Sequence, residues 1–144
     1  TMNPKTTNEL LHLLSSIHTE DALKDYTAYL DNISCYNSFS DYINAKIAEA
    51  GIPAASVIQN AHIQRTYGYQ ILNGSKNPGR NKVLALSLTL NLSFADTQRA
   101  LTLAGENILY SKNKRDSILI FSLQKKLSVQ RTNELLFEMN ESLL

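Results

Sequence analysis

Between residues 51 and 95 the chain carries no aspartate or glutamate, while Arg65, Lys76, Arg80 and Lys82 all fall inside that stretch. Formal charge is −4 over residues 1–50, +4 over 51–95 and +1 over 96–144, so a near-neutral total of +1 conceals a local basic block. Apolar residues inside the block recur at intervals of three and four, which is the period of a helix. A helical surface of this kind holds cations with no nearby carboxylate to neutralise them. It suits an anionic partner, because a phosphate backbone repels carboxylates and binds cations by releasing counterions.

The same spacing runs through the rest of the chain and strand signals are scarce, so the expected class is all-α. At 43% hydrophobic and 19% charged, 144 residues can bury a core in one domain, or in one domain plus an appendage. No run of eighteen apolar residues is present, so no membrane span is expected, and the first residues lack the pattern of a secretory leader. Cys35 stands alone, which excludes an intramolecular disulfide and fits a reducing cytoplasm.

Capping residues set the expected helices. Thr6 or Thr7 opens a first, through Ser16, and Thr19 opens a second running to about Asn32 with Ala22, Leu23, Tyr26, Tyr29 and Leu30 on its apolar face. Ser40 caps a third over 41–50, stopped by Gly51. Pro53 starts a short helix through about Asn60, and Gln64 starts another that Gly74 closes. After the loop "GSKNPG", helices are expected over 80–92, over 94–104 behind Ser93, over 112–126, and from Ser128 to about Asn140. No internal repeat is apparent.

The helices at 54–60 and 64–73, joined by Ala61-His62-Ile63, have the spacing of a helix-turn-helix. Ala55, Val57, Ile58, Ala61, Ile63 and Ile71 supply the small or apolar contacts that fix such a pair. At 100° per residue, Gly68 and Ile71 point at the first helix. Arg65, Thr66, Tyr69 and Gln70 point outward, and Asn73 ends the same face. In a major groove Arg65 can pair with guanine, Gln70 with adenine and Thr66 with a thymine methyl, while Tyr69 offers a hydroxyl to phosphate or an apolar body to a base edge, so that these four residues form the expected base-reading set.

Residues 39–105, with Arg65-Thr66-Tyr67, Tyr69-Gln70-Ile71, Asn73-Gly74, Pro78-x-Arg80 and the helix from Asn81, resemble the lambda-repressor/Cro-like family of bacterial and phage regulators. The resemblance implies a compact five-helix domain, base reading from Arg65, Thr66 and Gln70, and phosphate contacts near Asn73, Lys76 and Arg80, with Lys82 beside them. It also implies a dimer on a palindromic site. The turn position usually held by glycine is His62, which must then take a left-handed conformation.

The expected organisation is therefore an acidic helical extension over 1–38, a helix-turn-helix domain over 39–105, and a helical pair over 106–144. The apolar run 118–121 is either buried on two sides or at an interface, and makes 106–144 the expected dimer contact. Lys112, Lys114, Arg115, Lys125 and Lys126 read as a solvated face. The frame 74–81 has P-loop glycines but not the Lys-Ser/Thr ending, and it follows a helix rather than a strand. His12, His18 and His62 share no metal spacing, and no nucleophile motif appears, so no catalytic residue, metal ligand or cofactor is assigned. The expected function is sequence-specific binding of double-stranded DNA as a homodimeric transcriptional repressor. The alternative is an antitoxin-like module using the same scaffold on a protein partner, with the N-terminal helices as a possible second protein contact.

Overall fold

The computed structural model describes residues 19–33 and 38–144, together with Asn8, Leu11, Ser15 and Tyr36. The described residues form eight α-helices and no strand. The chain divides into two units, Thr1–Asn37 and Ser38–Leu144. The expected first helix lies outside the described residues except at Asn8, Leu11 and Ser15, which are helical.

In the first unit, α1 spans Glu20–Ile33. The Thr19 hydroxyl accepts the Ala22 amide at 3.1 Å, and Glu20 and Asp21 place negative charge at the positive end of the helix. Leu23, on the expected apolar face, is exposed.

The second unit begins with α2, Phe39–Ala50, capped by Ser38, whose side chain accepts the Asp41 amide. The cap thus lies two residues before the expected Ser40, because starting there brings Phe39 into the core beside Tyr42, Ile43 and Ile47. Gly51, at φ 67°, ends α2 in the left-handed region that a side chain would strain. There follow α3 (Ala54–Asn60), α4 (Arg65–Leu72), α5 (Arg80–Thr89), α6 (Phe94–Leu103), α7 (Lys114–Gln124) and α8 (Val129–Glu138). Six consecutive residues of α5, Val83 to Leu88, are buried, so this helix is covered on all sides, packing against α3, α6, α7 and α8.

Residues 106–144 belong to this second unit. They pack on α5 and α6 within the same unit. The run 118–121 is mostly spent there, since Ile118 and Leu119 are buried while Phe121 remains 47% exposed.

The fold also contains a repeat that the sequence conceals. Residues 80–109 and 115–144, offset by 35, are identical at ten of thirty positions. Equivalent residues have equivalent tasks. The buried Ser87 and Ser122 hydroxyls donate to carbonyls one turn back, at 2.8 and 2.9 Å. Asn91 and Lys126 adopt φ 52° and 55° in the turn. Ser93 and Ser128 cap the second helices, the buried Thr97 and Thr132 donate back to those serines' carbonyls, and Leu101 and Leu136 are fully buried. Gln98 receives the Leu109 amide as Asn133 receives that of Leu144.

The two copies also grip each other reciprocally. Arg80 pairs with Asp116, and Arg115 donates to Asn81, the position equivalent to Asp116. Helix α5 packs on its equivalent α7, α5 on α8, and α6 on α7. This is the pattern of an isologous contact, in which residue i of each copy meets residue j of the other.

Candidate nucleic-acid interface

The α3–α4 pair uses the same turn as the two copies. His62 stands at φ 58°, where they have Asn91 and Lys126, so the left-handed conformation expected of it is observed. The Ile63 amide reaches back to the Ile58 carbonyl at 3.1 Å, as Leu92 does to Ser87 and Leu127 to Ser122. Gln64 takes the place of the serine caps. It is the cap rather than the first helical residue, its side-chain oxygen accepting the Tyr67 amide at 2.8 Å.

The crossing of α3 and α4 is set by a close approach at Gly68. An added Cβ would lie 2.5 Å from Ile58 Cγ2 and 2.8 Å from Cγ1. Only a residue without a side chain fits there, and Gly68 and Ile71 are buried against the first helix as their register requires.

The opposite face of α4 presents the expected residues. Arg65, Thr66 and Tyr69 are exposed, and Gln70 is half-buried. The Arg65 guanidinium lies over the Tyr69 ring, 5.8 Å from its centre, which aligns the two side chains. Asn73 caps the helix, and its side-chain oxygen accepts the Ser75 amide at 2.9 Å. The Lys76 amide donates to the Gln70 carbonyl, folding the exit loop against the last turn of α4 with Lys76 exposed. From α2, Asn44 donates to the Leu72 carbonyl and fixes the end of α4 from behind.

Arg80 does not join this surface. Its guanidinium makes two bonds of 2.9 Å to the Asp116 carboxylate and also donates to the carbonyls of Asn107 and Ile108. With four donor contacts inside the protein it has no fork left for a phosphate, which revises the role expected of it. Asp116 was missed by sequence reasoning, because its partner lies 36 residues away in another helix. Lys82, two residues on in α5, is half-buried. A cleft of about 460 Å³ opens beside the Arg80–Asp116 pair, lined among others by Tyr110, Lys114, Arg115 and Glu141.

Charge separates the three hairpins. Helix α4 has no acidic residue, whereas α6 carries Asp96, and α8 carries Glu134 and Glu138. Asp96 is turned to Lys46 at 3.4 Å, and its backbone carbonyl accepts the buried Tyr42 hydroxyl. Burial, with the Asp96 charge beside it, pushes the Tyr42 phenol well above its ordinary range, so Tyr42 stays a neutral donor. Among the described residues no group of three or more His, Cys, Asp or Glu is placed to hold a metal ion, and no helix is long and apolar enough to cross a membrane. Compared with protein-family models, curated proteins and solved structures, the chain finds no match.

Proposed function

We propose that the chain is a sequence-specific duplex-DNA-binding regulator, a transcriptional repressor in a lambda-repressor/Cro-like arrangement, with α4 lying in the major groove. One observation carries the reading. Of three hairpins with one turn geometry, α3–α4 alone has an acid-free second helix, and it exposes Arg65, Thr66 and Tyr69 there. Arg65, Thr66, Tyr69 and Gln70 read bases, and Asn73, Lys76 and Lys82 approach phosphates.

Selection from a random duplex library should return a preferred sequence. Affinity for it should fall linearly in log–log salt plots, with a slope of about −0.9 per neutralised phosphate. Gln70→Ala should relax preference at one base pair by about 1–3 kcal/mol, and Lys76→Ala should weaken all sequences while making the slope shallower by about one. No enrichment at low salt would sink the reading and turn attention to a protein partner.

Binding as a homodimer fits a two-fold operator. Since α7 and α8 are engaged within the chain, the contact is expected on the apolar side chains they leave exposed, Phe121 and Phe137, the latter 75% exposed. Sedimentation should report a dimer that Phe137→Ser weakens. An unchanged dimer in that variant would place the contact elsewhere.

A further inference from the structure

The loop between α4 and α5, residues 73–79, holds the backbone and side chains nearest the exit of the recognition helix. Its start is tied to the last turn of α4 by two hydrogen bonds, from the Lys76 amide to the Gln70 carbonyl and from the Ser75 amide to the side chain of the exposed Asn73. Its far end is fixed by groups distant in sequence. Asn77 donates to the Ala104 carbonyl at 2.8 Å, Pro78 is buried, and Arg80 is held by Asp116, Asn107 and Ile108. Asp116 is 5% exposed and is itself aimed by the Tyr110 amide at 3.0 Å and, through its own amide, by the Asn113 side chain.

The repeat makes the specialisation of this grip visible. Both Arg80 and Arg115 hook the carbonyls of equivalent residues, Asn107 and Ile108 in one copy, Ser142 and Leu143 in the other. Across the copies, however, Arg115 meets the neutral Asn81 through one bond, whereas Arg80 meets a carboxylate through two. A bidentate ionic pair fixes both distance and plane, and a single bond from a guanidinium to a neutral amide oxygen does not. The stronger arm is the one attached to the loop behind α4.

We propose that Asp116 is a positioning residue for loop 73–79. By clamping Arg80, the C-terminal hairpin holds that loop in the conformation in which Lys76 and Asn73 meet a DNA backbone. The part concerning DNA rests on the function proposed above, while the part concerning the loop does not. Residues 106–144 then serve DNA binding without touching DNA.

The test compares Asp116→Asn with Arg115→Ala in the full chain. Arg115→Ala breaks the mirror arm and serves as the control for a purely structural role. Three quantities are read: amide hydrogen exchange at Ser75 and Lys76 without DNA, melting temperature, and affinity for a selected duplex at several salt concentrations. In Asp116→Asn, exchange at both amides should rise and affinity should fall by about tenfold, because a pre-set contact surface has been loosened. The salt slope should stay as in the parent, since no phosphate contact is removed. Arg115→Ala should lower the melting temperature while leaving loop exchange and affinity within about twofold of the parent. Should Asp116→Asn not fold, Arg80→Lys provides the same readout, because it keeps the charge but loses the fork. Unchanged loop exchange in Asp116→Asn overturns the proposal. So does an equal loss of affinity in both variants, which would make the clamp a matter of stability alone. If the parent binds no duplex, the DNA reading fails, yet the exchange measurement still decides whether Asp116 orders the loop.

Discussion

Arg80→Ala should cost about 3–5 kcal/mol of stability at neutral pH, because it leaves the Asp116 carboxylate charged, buried and without its partner. The loss should depend on pH in a stated direction. Burial alone would push the Asp116 carboxyl up, but the Arg80 guanidinium and the Tyr110 amide overcome it and hold the group below the usual carboxylate range. A carboxyl depressed in the folded state adds stability above its unfolded value, about pH 4. That contribution disappears as pH falls through the lower folded value. Without Arg80 the Tyr110 amide and the Arg115 charge still oppose burial, but the folded carboxyl moves up and the variant has less of this stability to lose on acidification. The difference between parent and variant in urea unfolding should therefore be largest near neutrality and shrink below about pH 4. A loss that stays constant across this range would mean that the pair is not what stabilises the hairpins. The same variant separates two roles for Arg80. A phosphate contact would make the salt slope of DNA binding shallower, whereas a clamp leaves the slope alone.

Much of the local structure was legible because single residues carry it. Gly51 stops α2, and Ser93 and Ser128 start α6 and α8, since a hydroxyl at an N-cap satisfies an orphan amide wherever it occurs. His62 is left-handed because the turn requires it of whatever residue stands there. The outward face of α4 followed from register alone. The repeat was hidden for the same physical reason that it works. Val83 and Ile118, Asn91 and Lys126, or Gly105 and Asn140 do equivalent jobs with different residues, so the task is kept while identity is lost.

The role of Arg80 was hidden for another reason. Charge counted along the chain credits each cation to the surface of its own segment, and Asp116 lies outside the acid-free block. The three-dimensional pairing removes one of four cations from that block and leaves Arg65, Lys76 and Lys82. The register of α2 shows a third limit. Ser38 and Ser40 are both competent caps, and the choice between them is made by Phe39, which must be buried.

Gly68 sits where a larger apolar residue would ordinarily strengthen a helix, and it should nevertheless resist replacement. Glycine in a helix interior costs about 1 kcal/mol relative to alanine, so Gly68→Ala would be stabilising if the site were open. It is not open, because the added Cβ would meet Cγ2, Cγ1 and Cδ1 of Ile58 at 2.5, 2.8 and 2.9 Å. Ile58 is itself buried and β-branched, with one strongly preferred rotamer in a helix, so it cannot swing away. Overpacking of this kind costs about 1–3 kcal/mol, which outweighs the propensity gain, and Gly68→Leu should cost more. The remaining relief is movement of α4 away from α3, which would displace Arg65 and Tyr69 together. Gly68→Ala should therefore weaken DNA binding beyond its effect on melting temperature. A double-mutant cycle identifies the contact. Ile58→Ala removes all three clashing atoms and should couple with Gly68→Ala by at least about 1 kcal/mol, so that the pair costs less than the sum of its members. Ile58→Val keeps Cγ1 and Cγ2 and should show little coupling. If Gly68→Ala instead raises the melting temperature, the two helices have room to separate, and the crossing angle that presents α4 is set by something other than this contact.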